Sequence, residues 1–319
     1  MKSTFHGWDY SIEKMEVKPI LTIKPSKEII YPTTLSKYYA LNKNNIHTLV
    51  NSEIYACRPE EFNDMFDSNF LLVDFRNVSF AQIMGIFTGV DLIRMRDQYD
   101  NDPQGFMDRF RNNTYSDWNE RSGISCFTTN QLNELMWAHY TMNSGYLIEY
   151  DYSLFPKNMT GPYPINYTNE LSLIDASNVN PILAFMASST IKKNIWEYEN
   201  EFRFIIYPDS REIFETTGRF SNHDDSSRPK SSRLIKHSKG AIKKIIFGFN
   251  FFKHESVSKE LPRIIRMESE NAFYKCILLN YVIENNIEVE NIFWHNFNLK
   301  NVKIEIERLD VTTYKLINI

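Results

Sequence analysis

The densest run of reactive side chains lies between Trp196 and Arg203, where the sequence reads Trp-Glu-Tyr-Glu-Asn-Glu-Phe-Arg. Its period of two predicts a strand over Trp196 to Phe204. Glu197, Glu199, Glu201 and Arg203 then share one face, and Trp196, Tyr198, Phe202 and Phe204 share the other. Carboxylates two residues apart on one face of a strand sit about 7 Å apart, close enough to repel, and Arg203 compensates only one of them well. Such a face either meets water at a sheet edge or serves a reaction, because paired acids hold a sugar hydroxyl and stabilise an oxocarbenium-like centre. On the second reading the odd-numbered face points into a cleft and the even-numbered aromatics into the core. Glu201, deepest in the strand, is the first candidate for the chemistry, Glu199 the second, and Glu197 is structural.

Three further constellations carry weaker signals. Lys37-Tyr38-Tyr39 places a cation and two aromatic rings at a strand end, a combination that stacks on a base or holds a phosphate and that ordinary packing also produces. Asn63 and Asp64, in Phe62-Asn-Asp-Met-Phe-Asp67, are residue types that cap turns as readily as they bind ligands. In Leu135-Met-Trp-Ala-His-Tyr140, His139 is either a core histidine with satisfied nitrogens or an acid–base group, with Trp137 and Tyr140 beside it. The chain has no His-Glu-x-x-His or Cys-x-x-Cys spacing and no glycine-rich phosphate loop. The motif signals for zinc hydrolases, kinases, P-loop ATPases and Rossmann enzymes are therefore missing, and no metal is predicted.

The elements that must position these residues read as an α+β fold in one elaborated domain, with short mixed or antiparallel sheets flanked by helices. Residues 1–34, with Pro19, Pro25 and Pro32, read as an N-terminal arm. A core domain follows over 35–250. It has strands at Leu35–Tyr39, Ile54–Cys57, Ile124–Phe127 and Tyr146–Tyr150, and helices at Asn44–Asn51, Asn130–Met142 and about 179–193. Two helices broken at Asp102-Pro-Gln-Gly105 fill 80–111. Residues 208–240 read as a long loop. Residues 251–319 read as helices at Phe251–Arg266 and Ala272–Glu284 with strands near Ile292 and Val302–Leu309, packed on the core.

Net charge is −4, which provides no field that attracts polyanions over the whole molecule. Any contact with nucleic acid must be local, and the basic residues from Arg228 to Lys244 are the stretch for it. No apolar run approaches the ~18 residues of a membrane span, no export signal opens the chain, and three distantly spaced cysteines do not form a disulfide framework. A cytoplasmic protein is the expectation.

Taken in order, Ser36-Lys-Tyr-Tyr39, Phe62-Asn-Asp64, Cys126-Phe127 with Met136-Trp-Ala-His-Tyr140 and Gly145, Tyr163 to Tyr167, and Trp196 to Arg203 resemble the pattern of the bacterial domain of unknown function family 2971, over about residues 35 to 250. The chain departs from it at Met65, where the family usually has Pro, and at Tyr39, where it has Arg. The family name records no activity.

A more distant resemblance is to ADP-ribosyltransferases, and it implies an enzyme that uses NAD. Lys37 and Tyr38 then take the role of the early strand, Ser125 to Phe127 with Tyr140 that of the middle strand, and Glu199 or Glu201 that of the catalytic glutamate. Lys37, Tyr38, Asn63, Asp64, Trp137, His139, Tyr140 and Arg203 are expected to hold substrate or cofactor. The expected role is that of a toxin or anti-phage defence effector whose basic loop 228–244 approaches a nucleic-acid or protein target. Two other classes stay open. One is a non-enzymatic binding or sensing module that uses the acidic strand and the Trp137/Tyr140 surface. The other is a metal-dependent nuclease built on Glu199, Glu201 and Asp64.

Overall fold

The computed structural model describes residues 2–13, 20–84, 92–178, 181–206 and 233–317. Three antiparallel strands open the chain, β1 (Lys2–Phe5), β2 (Trp8–Glu13) and β3 (Ile20–Pro25), where the proline content predicts an irregular arm. Trp8, 3% exposed, pins this small sheet by donating its indole N–H to Thr190 Oγ1 at 2.9 Å. Next come β4 (Leu35–Tyr39), α1 (Lys43–Val50), β5 (Glu53–Tyr55) and β6 (Val73–Asp74), then α2 (Phe80–Met84), α3 (Leu92–Asn101) and α4 (Pro103–Arg121). The predicted break falls between α3 and α4. Asp102 there accepts the Gly105 N–H, and Pro103 begins the new helix, where its missing N–H costs nothing.

The middle of the chain supplies β7 (Gly123–Thr128), α5 (Glu134–Thr141), β8 (Tyr146–Tyr150), β9 (Thr160–Pro164), β10 (Asn166–Thr168), β11 (Ile174–Asp175), α6 (Pro181–Ser189), β12 (Ile191–Lys193) and β13 (Glu201–Ile206). After it come β14 (Leu234–Lys236), β15 (Ile242–Phe247), β16 (Ser256–Val257), β17 (Arg263–Arg266), α7 (Ala272–Glu284), β18 (Glu288–His295), β19 (Asn298–Arg308) and β20 (Thr313–Ile317). The fold is α+β. Eleven strands form one sheet in the order β16-β17-β20-β19-β18-β15-β8-β4-β7-β13-β9, antiparallel throughout except where β15 lies parallel to β18. Among the described residues no helix is long and apolar enough to cross a membrane.

One face of the sheet carries the main core. Leu35, Tyr39, Phe127, Tyr146, Ile148, Phe202 and Phe204 pack there with Leu278 and Leu279 of α7. A second cluster gathers Phe70, Phe75, Phe106, Phe185 and Ile205. A third, smaller one sets Trp137 of α5 against Leu147, Ile246, Ile292 and Leu299.

Three expectations are corrected. The segment 251–266 is not a helix: Pro262 lacks the N–H a helix interior needs, and Ser258 and Ile264 bond each other through backbone and hydroxyl so that β16 and β17 pair. Residues 251–319 join the rest of the domain directly: β16 to β20 continue the sheet, and Phe251, Ile265 and Tyr314 enter the main core. Helix 179–193 ends at Ser189 and gives way to β12. The long loop read at 208–240 lies mostly outside the described residues, and its end is regular, with β14 paired antiparallel to β5.

Candidate active site

The acidic run does not form one strand. Asn194–Glu199 is a 3-10 turn, Asn200 takes a left-handed conformation (φ 45°), and only Glu201 onward is strand. Period-two alternation therefore holds from Glu201 on, with Glu201 and Arg203 on one side and Phe202 and Phe204 in the core. The turn is fastened to its surroundings. Thr128 Oγ1 donates to the Glu199 carbonyl at 2.5 Å, Asn130 Nδ2 to the Tyr198 carbonyl at 3.1 Å, and the Asn200 amide to Thr129 Oγ1. Tyr167 of β10 accepts the Glu201 N–H at 2.9 Å.

The kink at Asn200 brings Glu199 and Glu201 onto one cation. The Lys192 ammonium of β12 lies 2.5 Å from Glu199 Oε2, 3.1 Å from Glu201 Oε2 and 3.3 Å from Asp67 Oδ2. Arg203 is completely buried and satisfied. It grips Asp67 with both terminal nitrogens at 2.7 Å, bonds Glu201 through Nε at 2.6 Å and Nη2 at 3.1 Å, and reaches Ser68 Oγ and the Ser189 carbonyl. The remaining Glu199 oxygen accepts the Tyr140 hydroxyl at 2.5 Å. Three carboxylates thus face two cations, with none of the five more than 5% exposed.

Burying one uncompensated negative charge is costly, and the two glutamates divide that cost unequally. Burial pushes the Glu201 carboxyl up, but Arg203 and Lys192 overcome this and bring it down to about 2. Burial and the neighbouring Glu201 charge raise Glu199, and Lys192 and Tyr140 offset only part of the rise. The Tyr140 hydroxyl is pushed up by burial and by Glu199. Two acids with opposed environments, one fixed as an anion and one able to exchange a proton, form the usual starting point for acid–base work.

Tyr140, Lys192, Glu199 and Glu201 floor a cleft of about 390 Å³, within the range of small-ligand sites, and Asp67 lies behind them. Of the sequence-derived candidates, Lys37, Tyr38, Asn63, His139, Tyr140, Glu199 and Glu201 line it. Lys37 donates to the Cys126 carbonyl at 3.0 Å and lies 5.5 Å from the Phe127 ring centroid, with no carboxylate in ion-pair range among the described residues. Tyr38 donates to the Asn130 carbonyl at 2.8 Å, and its ring lies 6.5 Å from that of Tyr140.

Other candidates fall elsewhere. Arg203 lies behind the carboxylates rather than in the cleft. Trp137 is 1% exposed beneath Tyr38, donating to the Gln131 carbonyl, so it presents no binding surface. Asp64 turns away to accept the Phe66 N–H at 3.0 Å and borders a separate small pocket. His139 is not a core residue: it is exposed at the rim, 3.5 Å from the Tyr198 hydroxyl. In the basic stretch, Arg233 caps the carbonyls of Glu120 and Ser122 at the end of α4, and Lys244 sits between Glu149 and Glu290. Lys236 and Lys239 are exposed, while Arg228 and Lys230 lie outside the described residues.

Lys192 and Asp67 are the functional residues that sequence reasoning missed. Lys192 was hidden inside the predicted helix 179–193. Asp67 ends the string Phe62–Asp67, where its residue type caps turns as readily as Asn63 and Asp64 do. Phe62 and Met136 complete the cleft wall.

The fold and site define a mixed-sheet α+β protein with a cleft of about 390 Å³ floored by an acid-rich buried ion network. No protein-family model, curated protein or solved structure matches the chain.

Proposed function

We propose that the cleft binds NAD and cleaves its nicotinamide–ribose bond, as an ADP-ribosyltransferase or NAD glycohydrolase, with Glu199 rather than Glu201 as the reactive carboxylate. The observation that carries this reading is the polarity of the cleft. Lys37 offers a cation with no carboxylate partner among the described residues, and the floor holds one carboxylate more than its cations neutralise. A ligand with a diphosphate and a positively charged ring suits both poles. Lys37 meets the diphosphate as a point charge, and the Tyr38, Phe62 and Tyr140 rings provide faces for flat heterocycles.

The chemistry follows from charge. As the glycosidic C–N bond breaks, its electron pair stays on the pyridinium nitrogen, which becomes neutral, and positive charge moves to the sugar. The Glu199 carboxylate, accepting a ribose hydroxyl, stabilises that charge more than it stabilises the bound substrate. Water or a nucleophile on a target then bonds to the anomeric carbon and loses a proton. Glu201, pinned on both oxygens by Arg203 and Lys192, holds the floor in place.

Two observations weigh against the other classes. The Lys192 ammonium occupies the space between the three carboxylates that a divalent ion would take, and Asp64 is turned away from them. The Trp137 face on which a binding module would rest is buried. The resemblance to ADP-ribosyltransferases is the ground for reading the protein as an NAD-using toxin or anti-phage effector acting in the cytoplasm. The exposed Lys236 and Lys239 are then cations available to a nucleic-acid or protein target.

The test is incubation with NAD labelled in its adenylate half, with and without cell extract. Free ADP-ribose or a labelled macromolecule is expected from the wild-type protein and from neither Glu199→Gln sample. Intact NAD in every wild-type sample contradicts the proposal.

A further inference from the structure

Among the described residues, the Lys192 ammonium is the one cation within ion-pair distance of Glu199, Glu201 and Asp67 together. It is 5% exposed, and its charge lies 5.0 Å from the Trp196 ring centroid, so the indole covers it on the turn side. Unlike Arg203, which bonds Asp67 and Glu201 but not Glu199, Lys192 ties the reactive acid to the fixed ones. β12 that carries it runs parallel to β10, with Lys192 opposite Tyr167, and Tyr167 in turn accepts the Glu201 N–H. The ammonium is thus set by two neighbouring strands, and its height fixes where Glu199 stands.

We propose that Lys192 is the positioning residue of the cleft: by bonding Glu199, Glu201 and Asp67 together it turns the second Glu199 oxygen to Tyr140 and sets the acidity of the Glu199 carboxyl. This rests on the reading of Glu199 as the reactive carboxylate. The physical reason is distance. A cation 2.5 Å from Glu199 Oε2 favours the ionised acid, opposing both burial and the Glu201 charge. Without it, Glu199 keeps its proton to higher pH.

The groups that face Glu199 come from several elements. β13 contributes Glu201, with Arg203 behind it, and α5 contributes Tyr140, with His139 at the rim. Tyr198 precedes it on the turn, Tyr167 of β10 feels its charge, and Asp67 reaches it through Lys192. Among these the carboxylates hinder ionisation of Glu199, and Lys192 is the cation in direct contact with it.

The experiment compares wild type, Lys192→Met and Lys192→Arg in NAD cleavage across pH, together with titration of the Glu199 carboxyl by NMR of carboxyl-labelled glutamate. Lys192→Met is expected to lower kcat roughly 10- to 100-fold, the usual loss when an outer partner of a reactive group is removed. KM is expected to stay within about threefold, because Lys192 touches the acid rather than the ligand. The acid limb of the rate profile and the Glu199 titration midpoint both move to higher pH. Lys192→Arg restores most of the rate and moves both back toward wild type. If Lys192→Met does not fold, Lys192→Gln, neutral yet able to hydrogen-bond the carboxylates, carries the same expectation.

A uniform loss of rate with an unmoved midpoint overturns the proposal and makes Lys192 a structural residue. If wild type cleaves no NAD, the enzymatic reading fails by itself, and the Glu199 titration still decides the question. A midpoint that rises in Lys192→Met upholds the Lys192 assignment, and an unchanged one overturns it.

Discussion

Glu199 and Glu201 are the same residue type two positions apart, and their partners give them opposite thermodynamic signs. Glu201 is held at about 2 against an ordinary 4.5, so its ionisation stabilises the fold at pH above 4.5. That contribution fades as pH falls from 4.5 through about 2. Glu199 is raised, so its ionisation works against the fold as pH climbs past its ordinary 4.5 and costs most above its folded value. Glu201→Gln breaks the ion pairs that Arg203 and Lys192 make with the carboxylate they hold well below its ordinary range. It is expected to destabilise the protein at pH 7 by about 3 kcal/mol, the scale for breaking a buried ion pair. Glu199→Gln removes the surplus charge and is expected to match or exceed wild-type stability at pH 7, with the gain vanishing near pH 4. Denaturant unfolding at the two pH values checks both, and equal losses in the two variants would contradict the division of roles.

At the scale of elements, the 3-10 turn and Asn200 decide the site. A straight strand through 196–204 would hold the two carboxylates apart along one face, whereas the left-handed Asn200 lets both reach Lys192. Asn adopts this conformation readily and a β-branched residue does not. Asn200→Val is therefore expected to cost about 1–2 kcal/mol and to shift the Glu199 titration. Asn200→Gly should lose only the amide bond to Thr129. Thermal melts with carboxyl NMR separate the two, and a tolerated Asn200→Val would contradict the role of the kink.

The same place marks the limit of what was legible in the sequence. β4, β7 and β8 were readable from short apolar runs, and α4 from the Asp102-Pro103 start, because local chemistry settles each of them. The alternation Glu-x-Glu-x-Glu concealed the turn, since a side-chain pattern of period two says nothing of a single left-handed residue within it. Lys37, Tyr140, Glu199 and Glu201 were recognisable by type and do line one cleft. Lys192 and Asp67 were not, because a buried ion network is made by contacts 125 residues apart that leave no local trace. Arg203, expected to hold substrate or cofactor, is internal.

Across the whole molecule, the sheet joins the site to the C-terminal segment. β15 lies between β8 and β18, with Ile245 opposite both Ile148 and Val289, and β8 in turn pairs with β4, which carries Lys37. A chain ending at Asn286 would expose the edge of β15, an apolar strand of the kind that pairs with other chains. It is expected to aggregate or remain unfolded by size-exclusion chromatography and circular dichroism. A monomeric truncated protein that melts cooperatively would show instead that the chain up to Asn286 folds without β18 to β20.

Nicotinamide release by the purified protein tests the role of Glu199 most directly. Wild type should liberate nicotinamide from NAD, and folded Glu199→Gln should do so at least about 100-fold more slowly, the loss expected when a preorganised charge is removed from beneath a developing cation. Undiminished release by Glu199→Gln, or none by the wild-type protein with cell extract supplied as target, would contradict it.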